Sequence, residues 1–247
     1  MKPMSEHLVF MLHAPLGAMG GVAVGEQRGG FDRPGKSAIL GLVAAGLGLE
    51  RSDEAAHAVL ADGYGLGLGE ITSGRLLFDY HTAQIPPQRK NRHFATRREE
   101  LMVSDVGTIL SVREYRTDPA YLVVLWARET PRWSLGTFAE ALKYPHFTLY
   151  FGRKSCPLGV PLDPRVIEAD DPHSAVLLYL VGRTPEQIKL LHDLRLDGSP
   201  SVLALDLDGT NDRSNTLRIE RRRDALESRR RWQFGLRSEA LIDGRKE

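Results

Sequence analysis

Apolar and polar positions along the chain sort into short runs, and the runs predict alternating strands and helices. His7–Leu12 reads as a short buried strand. It ends at Ala14-Pro15, and a glycine-rich connection follows (Gly17, Gly20, Gly21, Gly25, Gly29, Gly30) that has little order of its own unless something lies along it. Lys36–Leu49 is predicted helical: Ile39, Leu40, Val43 and Leu47 make a large face, and Gly41, Ala45 and Gly48 a small one. A helix apolar all round is buried, here against a sheet. Ser52 is the expected cap of the next helix, with Asp53 and Glu54 in its first turn, and Gly63 stops it. Strands are expected at Gly65–Ile71, Leu76–Tyr80 and Tyr121–Trp126. Ser134 opens a helix with Leu135, Phe138, Ala139 and Leu142 on one face, ended by Pro145, and Tyr150–Leu158 reads as a loop. Past Pro164 a second segment begins. Asp171-Pro172 starts one helix, and Thr184-Pro185-Glu186-Gln187 is a capping box with proline at the first helical position. Ser201–Leu207 and Leu217–Arg221 read as strands.

Two stretches break this pattern by charge. Within Tyr80–Tyr115, the cations Arg89, Lys90, Arg92, Arg97 and Arg98 accumulate with His93 and Phe94, and no acid appears before Glu99. This stretch is expected to be an extended hairpin or arm that leaves the sheet and rejoins it. A solvated loop is the plain reading, but so one-sided a run repels itself unless an anionic partner lies against it. The second stretch is the tail, with Arg218, Arg221, Arg222, Arg223, Arg229, Arg230 and Arg231. Glu220, Asp224 and Glu227 offset part of that charge, so a solvated helix face is an equally natural reading.

Composition narrows the partners. The 247 residues suffice for one large domain or two small ones, and 42% hydrophobic with 26% charged residues is ordinary for a globular protein. Formal net charge is +1, so any nucleic-acid footprint must be local. A single cysteine, Cys156, excludes an internal disulfide and a Cys/His metal cluster, and it fits a reducing compartment. The run Leu8–Leu12 is too short to span a membrane and reads as a first strand, which points to a cytoplasmic protein.

The candidate chemistry starts at Gly29-Gly30-Phe31-Asp32-Arg33-Pro34-Gly35-Lys36-Ser37, which from Gly30 satisfies the P-loop pattern. Arg28, Arg33 and Lys36 lead into the first turn of a helix, where unpaired backbone N–H groups and the macrodipole favour a phosphate. A P-loop needs a strand ending at its first glycine, and here the nearest ends near Ala14. Asp79 and Asp206 could serve as Walker-B carboxylates for an NTPase, but short apolar-Asp strings are common. Asp206-Leu207-Asp208-Gly209-Thr210 imitates the nucleophile strand of haloacid-dehalogenase phosphotransferases, yet only the tail from Asn211 remains to complete such a site, and an Asp-Gly turn is the simpler reading. His81, with Lys36 and Tyr115 as imagined partners for RNA cleavage, has no spacing that links it to a second acid or base and reads as a binding residue. What recurs is a cation beside an aromatic: Arg33 with Phe31, Arg92 with Phe94, Arg113 with Tyr115, Arg153 and Lys154 with Tyr150. Such sets grip single-stranded RNA, the cations on phosphates and the π-faces on bases. Ser37 and Ser155 can donate to the same phosphate oxygens.

In order, the string Gly29–Leu42, Gly48-Leu49-Glu50-Arg51, Asp79-Tyr80-His81-Thr82, Arg113-Glu114-Tyr115 and Tyr150-Phe151-Gly152-Arg153-Lys154-Ser155-Cys156-Pro157-Leu158 resemble the CRISPR-associated Cas5 family, CasD type, a subunit of the type I-E surveillance complex Cascade. The resemblance covers roughly residues 7–180. It implies an α+β fold: a ferredoxin-like, RRM/RAMP-type antiparallel sheet with an inserted β-hairpin thumb at about 80–115 within residues 1–164, and a smaller α+β segment over 165–247. It implies a non-catalytic subunit that holds the 5′ handle of the CRISPR RNA in antiviral defence, without cofactor or metal. Its partners would be that RNA and the backbone and large subunits, with target DNA met only through the complex and no membrane. The related type I-C subunit is itself a metal-independent repeat endoribonuclease, which is the alternative. On this reading the Gly29–Ser37 and Gly152–Cys156 loops flank the RNA handle, Arg153, Lys154, Lys36 and Arg33 meet phosphates, Tyr150 and His81 face bases, and the tail arginines are carried over on charge alone.

Overall fold

The computed structural model describes residues 4–21, 25–88, 93–129, 131–209 and 216–245. In chain order its elements are β1 (Ser5–His13), β2 (Leu16–Gly17), β3 (Gln27–Arg28), α1 (Lys36–Leu47), α2 (Glu54–Gly63), β4 (Tyr64–Thr72), β5 (Arg75–Ile85), α3 (Arg97–Leu101) and β6 (Gly107–Thr117). Then follow β7 (Ala120–Ala127), α4 (Leu135–Lys143), β8 (Arg165–Ala169), α5 (Pro172–Val181), α6 (Pro185–Asp193), β9 (Val202–Asp206), β10 (Thr216–Ser228) and β11 (Gln233–Asp243).

Seven strands form one sheet in the order β10-β11-β9-β4-β7-β1-β8, every pair antiparallel. Its middle is a βαββαβ unit: β1, α1 and α2, β4, β7, α4, β8, with spatial order β8-β1-β7-β4. That is the ferredoxin-like arrangement, so the chain is α+β with an RRM/RAMP-type sheet. β9, β11 and β10 extend it past β4.

The apolar runs follow from a sheet covered on both faces. On β7, Tyr121, Val123 and Leu125 join β1's Leu8, Phe10 and Leu12 against α1, α2 and α4. Leu122, Val124 and Trp126 join Val9 and Met11 on the other face, against Ala175, Val176 and Tyr179 of α5 and Leu191 of α6. A strand buried twice has no polar side to alternate with. β4 carries glycine where its neighbours' side chains lie across it. A Cβ at Gly65 would sit 2.0 Å from Trp126 Cε2, and one at Gly67 2.4 Å from Leu205 Cδ2.

The helices obey their local signals. α4 buries Leu135, Phe138, Ala139 and Leu142, and Ser134 Oγ accepts from the Thr137 N–H at 3.1 Å. Both halves of the Thr184 capping box are present. One cap differs from expectation: Asp53, not Ser52, caps α2, its Oδ1 accepting from the Ala56 N–H at 3.0 Å. A carboxylate is the stronger acceptor for the same orphan donors.

The excursion is a hairpin, longer than expected. β5 and β6 pair from Arg75↔Thr117 at the root to Ile85↔Gly107 at the tip, roughly 35 Å at a strand's rise per residue. It belongs to a second sheet, β6 being flanked by β2, the parallel β3 and β5. The arginine-rich tail is not a helix face: β10 and β11 form a long hairpin. Alternate positions point inward, and the inward ones, Arg222 and Asp224 on β10 and Glu239 on β11, are buried as paired ions.

Candidate nucleic-acid interface

The start of α1 carries an anion, but the protein supplies it. The Lys36 backbone N–H donates to Asp224 Oδ2 at 2.9 Å, and the Lys36 Nζ lies 2.7 Å from Asp206 Oδ2. Asp206 also takes Arg237 Nη1 at 2.8 Å and Arg128 Nη2 at 2.9 Å, and Arg237 bridges on to Asp224 Oδ1 at 2.6 Å and Glu239 Oε2 at 2.7 Å. Arg33 ion-pairs with Glu239, Glu220 and Asp32. Burial works against its charge, but the hydrogen bonds and charges of Glu239, Glu220 and Asp32 together outweigh that and raise its pKa. Burial lowers the pKa of Lys36, with Asp206 opposing.

Arg33 (7% exposed) and Lys36 (5%) are therefore internal ion-pair residues, which corrects their assignment to phosphates. Removing a buried cation from carboxylates this close would leave charges uncompensated in a poorly solvating interior. The same geometry counts against a P-loop, because Lys36 does not reach the loop's concavity and Asp224 holds the helix N-terminus. Asp206, buried among three cations, is not presented as a nucleophile.

Beside this network lies a groove of about 730 Å³. Its floor is the small face of α1, Ser37, Gly41 and Ala45; one wall is Thr148–Arg153, another the Met19–Gly21 and Arg28–Gly29 segments with Arg113 of β6, and Arg229 and Trp232 of the β10–β11 turn close it. Charged residues lining it, among those described, are Arg28, Arg113, Arg153 and Arg229, with no carboxylate. Three have guanidinium atoms that are buried yet unpartnered: Arg113 Nε, Arg153 Nη1 and Arg229 Nε. Buried donors without acceptors are costly unless a ligand or water completes them.

Backbone geometry shapes the Arg153 wall. Gly152 has φ +87°, and a Cβ there would lie 1.8 Å from the Ala18 carbonyl oxygen, so only glycine lets this loop press against the Ala18 backbone. The Ala18 N–H donates to the Phe151 carbonyl at 3.0 Å, closing the turn from both sides. Across the groove, the Gly30 N–H donates to Glu114 at 2.7 Å, which engages that carboxylate with backbone.

The other sequence-selected residues divide. Ser37 and Tyr150 are half-buried at the groove, and Lys154 and Ser155 are exposed on the same loop as Arg153. Tyr115 is buried beneath the Arg153 guanidinium, 4.6 Å from it, so it supports that cation and offers no face for a base. Cys156 is fully buried and meets no ligand. His81 pairs with Asp79 on β5, opposite Ser111 of β6, remote in role from both Lys36 and Tyr115. Arg97 and Arg98 lie exposed on α3 near the hairpin tip, where Arg97 pairs with Glu100 at 2.5 Å. Arg89, Lys90 and Arg92 fall outside the described residues. Sequence reasoning missed Arg229 and Trp232 as groove residues, and Arg51, whose guanidinium also lies on the Trp232 ring. The signal was the Arg-Arg-Arg-Trp string at 229–232.

Comparison with known proteins agrees with this architecture. A family model described as CRISPR-associated protein (Cas_Cas5) matches residues 7–238. The chain is 28% identical over 177 residues to the Escherichia coli (strain K12) protein named CRISPR system Cascade subunit CasD, covering 71% of this chain and 78% of that one. A chain of a solved CRISPR RNA-guided surveillance complex superposes with a TM-score of 0.59 at 20% identity, over 95% of this chain and 89% of the other. A second solved structure, titled as a Cas protein, superposes with a TM-score of 0.54 at 23% identity, over 96% and 95%. None of the described helices is long and apolar enough to cross a membrane.

Proposed function

Since this chain belongs to the CRISPR-associated Cas5 family, we propose that it is the CasD-type subunit of a type I-E Cascade complex and that it holds the 5′ handle of the CRISPR RNA without cutting it. The observation that carries this reading is the groove's arginine-only charge. Four guanidiniums converge from the Gly-rich connection, β6, the Thr148–Arg153 wall and the C-terminal turn, three of them with unpartnered atoms. A polyanionic strand matches that need, and guanidiniums bind phosphate in bidentate fashion. Tyr150 adds a π-surface against which an unstacked base can lie.

Holding is favoured over cleavage by what lines the groove. Proton transfer near neutral pH uses histidine most often, or carboxylate, lysine, tyrosine or cysteine; of these only Tyr150 occurs among the described lining residues, with no second acid or base beside it there. The β5–β6 hairpin is the natural contact for neighbouring subunits. Leu76, Leu77, Phe78, Tyr80, Ile109 and Leu110 are all exposed along it, an apolar surface that a lone chain would keep wet.

The test replaces Arg153 and Lys154 together by alanine and measures RNA retention of the purified complex. Binding should weaken for all sequences alike, and the slope of log K against log salt should shrink by about 0.7 per lost phosphate contact, the value for single strands. Unchanged RNA occupancy in a correctly assembled complex would refute the reading.

A further inference from the structure

The turn joining β10 to β11 places an unusual group at the mouth of the groove. Ser228 pairs with Gln233, and the four residues between them, Arg229 to Trp232, make the turn. Trp232 has φ 56°, left-handed backbone that a bulky side chain rarely adopts. Such outliers persist where the surroundings hold them, and they cluster at functional sites. Here α2 does the holding: Glu54 Oε2 accepts from the Arg230 N–H at 2.9 Å. Phe234 packs edge-on against the indole, with ring centroids 5.4 Å apart.

Two cations lie on that one indole. The guanidinium carbons of Arg51 and Arg229 are each 4.5 Å from the ring centroid. Among the described residues neither is in an ion pair with a carboxylate, and Arg229 Nε is buried without a partner. Of the acids that follow Arg51 in the chain, Asp53 caps α2 through the Ala56 N–H and Glu54 is engaged with the turn's backbone. The indole carries both guanidiniums against its ring, and Arg229 Nε keeps a donor that no acceptor takes. Two like charges on one ring repel each other, and burial together with Arg51 lowers the pKa of Arg229. An anion across their edges relieves the repulsion and satisfies the donors.

We propose that Arg51 and Arg229, carried on Trp232, form a second phosphate clamp for single-stranded RNA in the groove, supplied by the C-terminal hairpin and independent of the Arg153 loop. The clamp rests on the reading that the groove holds RNA, and it assigns the groove's closing wall to the phosphodiester backbone and not to base recognition. It therefore discriminates charge and strand flexibility, not sequence.

The experiment measures binding of a labelled single-stranded RNA of the host's CRISPR repeat sequence to the full chain across a salt series. Arg51→Gln plus Arg229→Gln should weaken binding at least tenfold and reduce the salt slope by about 1.4, two contacts at about 0.7 each for single strands. Trp232→Leu, which keeps both charges but removes their platform, should weaken binding by about three- to tenfold with little change in slope. Arg51→Gln alone, at an exposed position that leaves the fold intact, should reduce the slope by about half as much as the double variant. Wild-type affinity and slope in Arg51→Gln and in a normally melting double variant overturn the clamp while leaving the groove reading standing. Weakening in the double variant with none in Arg153→Ala plus Lys154→Ala supports the clamp and overturns the assignment of the Arg153 loop. A wild-type chain that binds no RNA overturns both.

Discussion

Asp206 shows how the surroundings of a residue decide its role. It stands in a string that imitates a phosphotransferase nucleophile, yet it is 3% exposed and its two oxygens meet Lys36, Arg128 and Arg237. Asp206→Ala should destabilise the chain by about 3–5 kcal/mol, because Lys36 is left buried without its carboxylate. Urea denaturation measures this, and a loss under 1 kcal/mol would contradict the network. Gly152 has the opposite character: it has no side chain to offer and acts by fixing a loop. Gly152→Ala adds a left-handed strain of about 1–3 kcal/mol and a collision with Ala18. RNA retention should fall as far as in Arg153→Ala, since the loop that presents Arg153 must move. Retention at the wild-type level would show that the loop tolerates the shift. Part of this was legible in the sequence. The Gly-Arg-Lys-Ser string at 152–155 marked the loop, and Arg153 lines the groove. Arg33 and Lys36 misled because their partners, Glu239 and Asp206, lie 206 and 170 positions along the chain.

At the scale of elements, legibility followed burial by apolar side chains. β1, β7 and α4 declared themselves because their buried positions are hydrophobic. β10 declared only its start, at Leu217–Arg221, and β11 nothing, because their inward positions hold arginine, aspartate and glutamate, and a hydropathy pattern reads buried ion pairs as solvent-facing. Those pairs make the hairpin's attachment acid-sensitive. Burial acts to raise the Asp224 pKa, but hydrogen bonds and charge from Arg237 outweigh it, and Arg128 does the same for Asp208, so both ionise below the ordinary range. A carboxyl depressed on folding contributes stability that is whole above its unfolded pKa, about 4, and lost as pH falls through the folded value. The stability these two carboxylates contribute should hold from pH 7 to about 5 and drop below about 4, which the melting temperature of wild type against Asp224→Asn reads out. Asp224→Asn should melt lower at neutral pH and show a shallower drop; parallel curves would remove Asp224 from the account. The β5–β6 hairpin is tied in differently, since Phe78 and Tyr80 are 61% and 63% exposed. Phe78→Ser plus Tyr80→Ser should leave the melting of the free chain within about 0.5 kcal/mol of wild type. Assembly with partner subunits, followed by co-purification, should weaken; full assembly would locate the partner surface elsewhere.

For the molecule as a whole, a net charge of +1 hides a division of labour. Acids and bases cancel inside the C-terminal network, while the groove keeps its arginines uncancelled. Binding of single-stranded RNA should therefore depend on salt with a log–log slope near −3, about 0.7 for each of the four lining arginines. A slope near zero would mean that the groove is not where RNA is held. The groove is also built from both ends of the polypeptide: Arg28 opens it and Trp232 closes it, and the loop before α1 is anchored by Glu239. The groove is thus complete only when the β10–β11 turn is docked beside α1. Without that hairpin Arg33 would lose Glu220 and Glu239, and the first N–H of α1 would lose Asp224, so the last strands act as a keystone for the loop at the other side of the cleft.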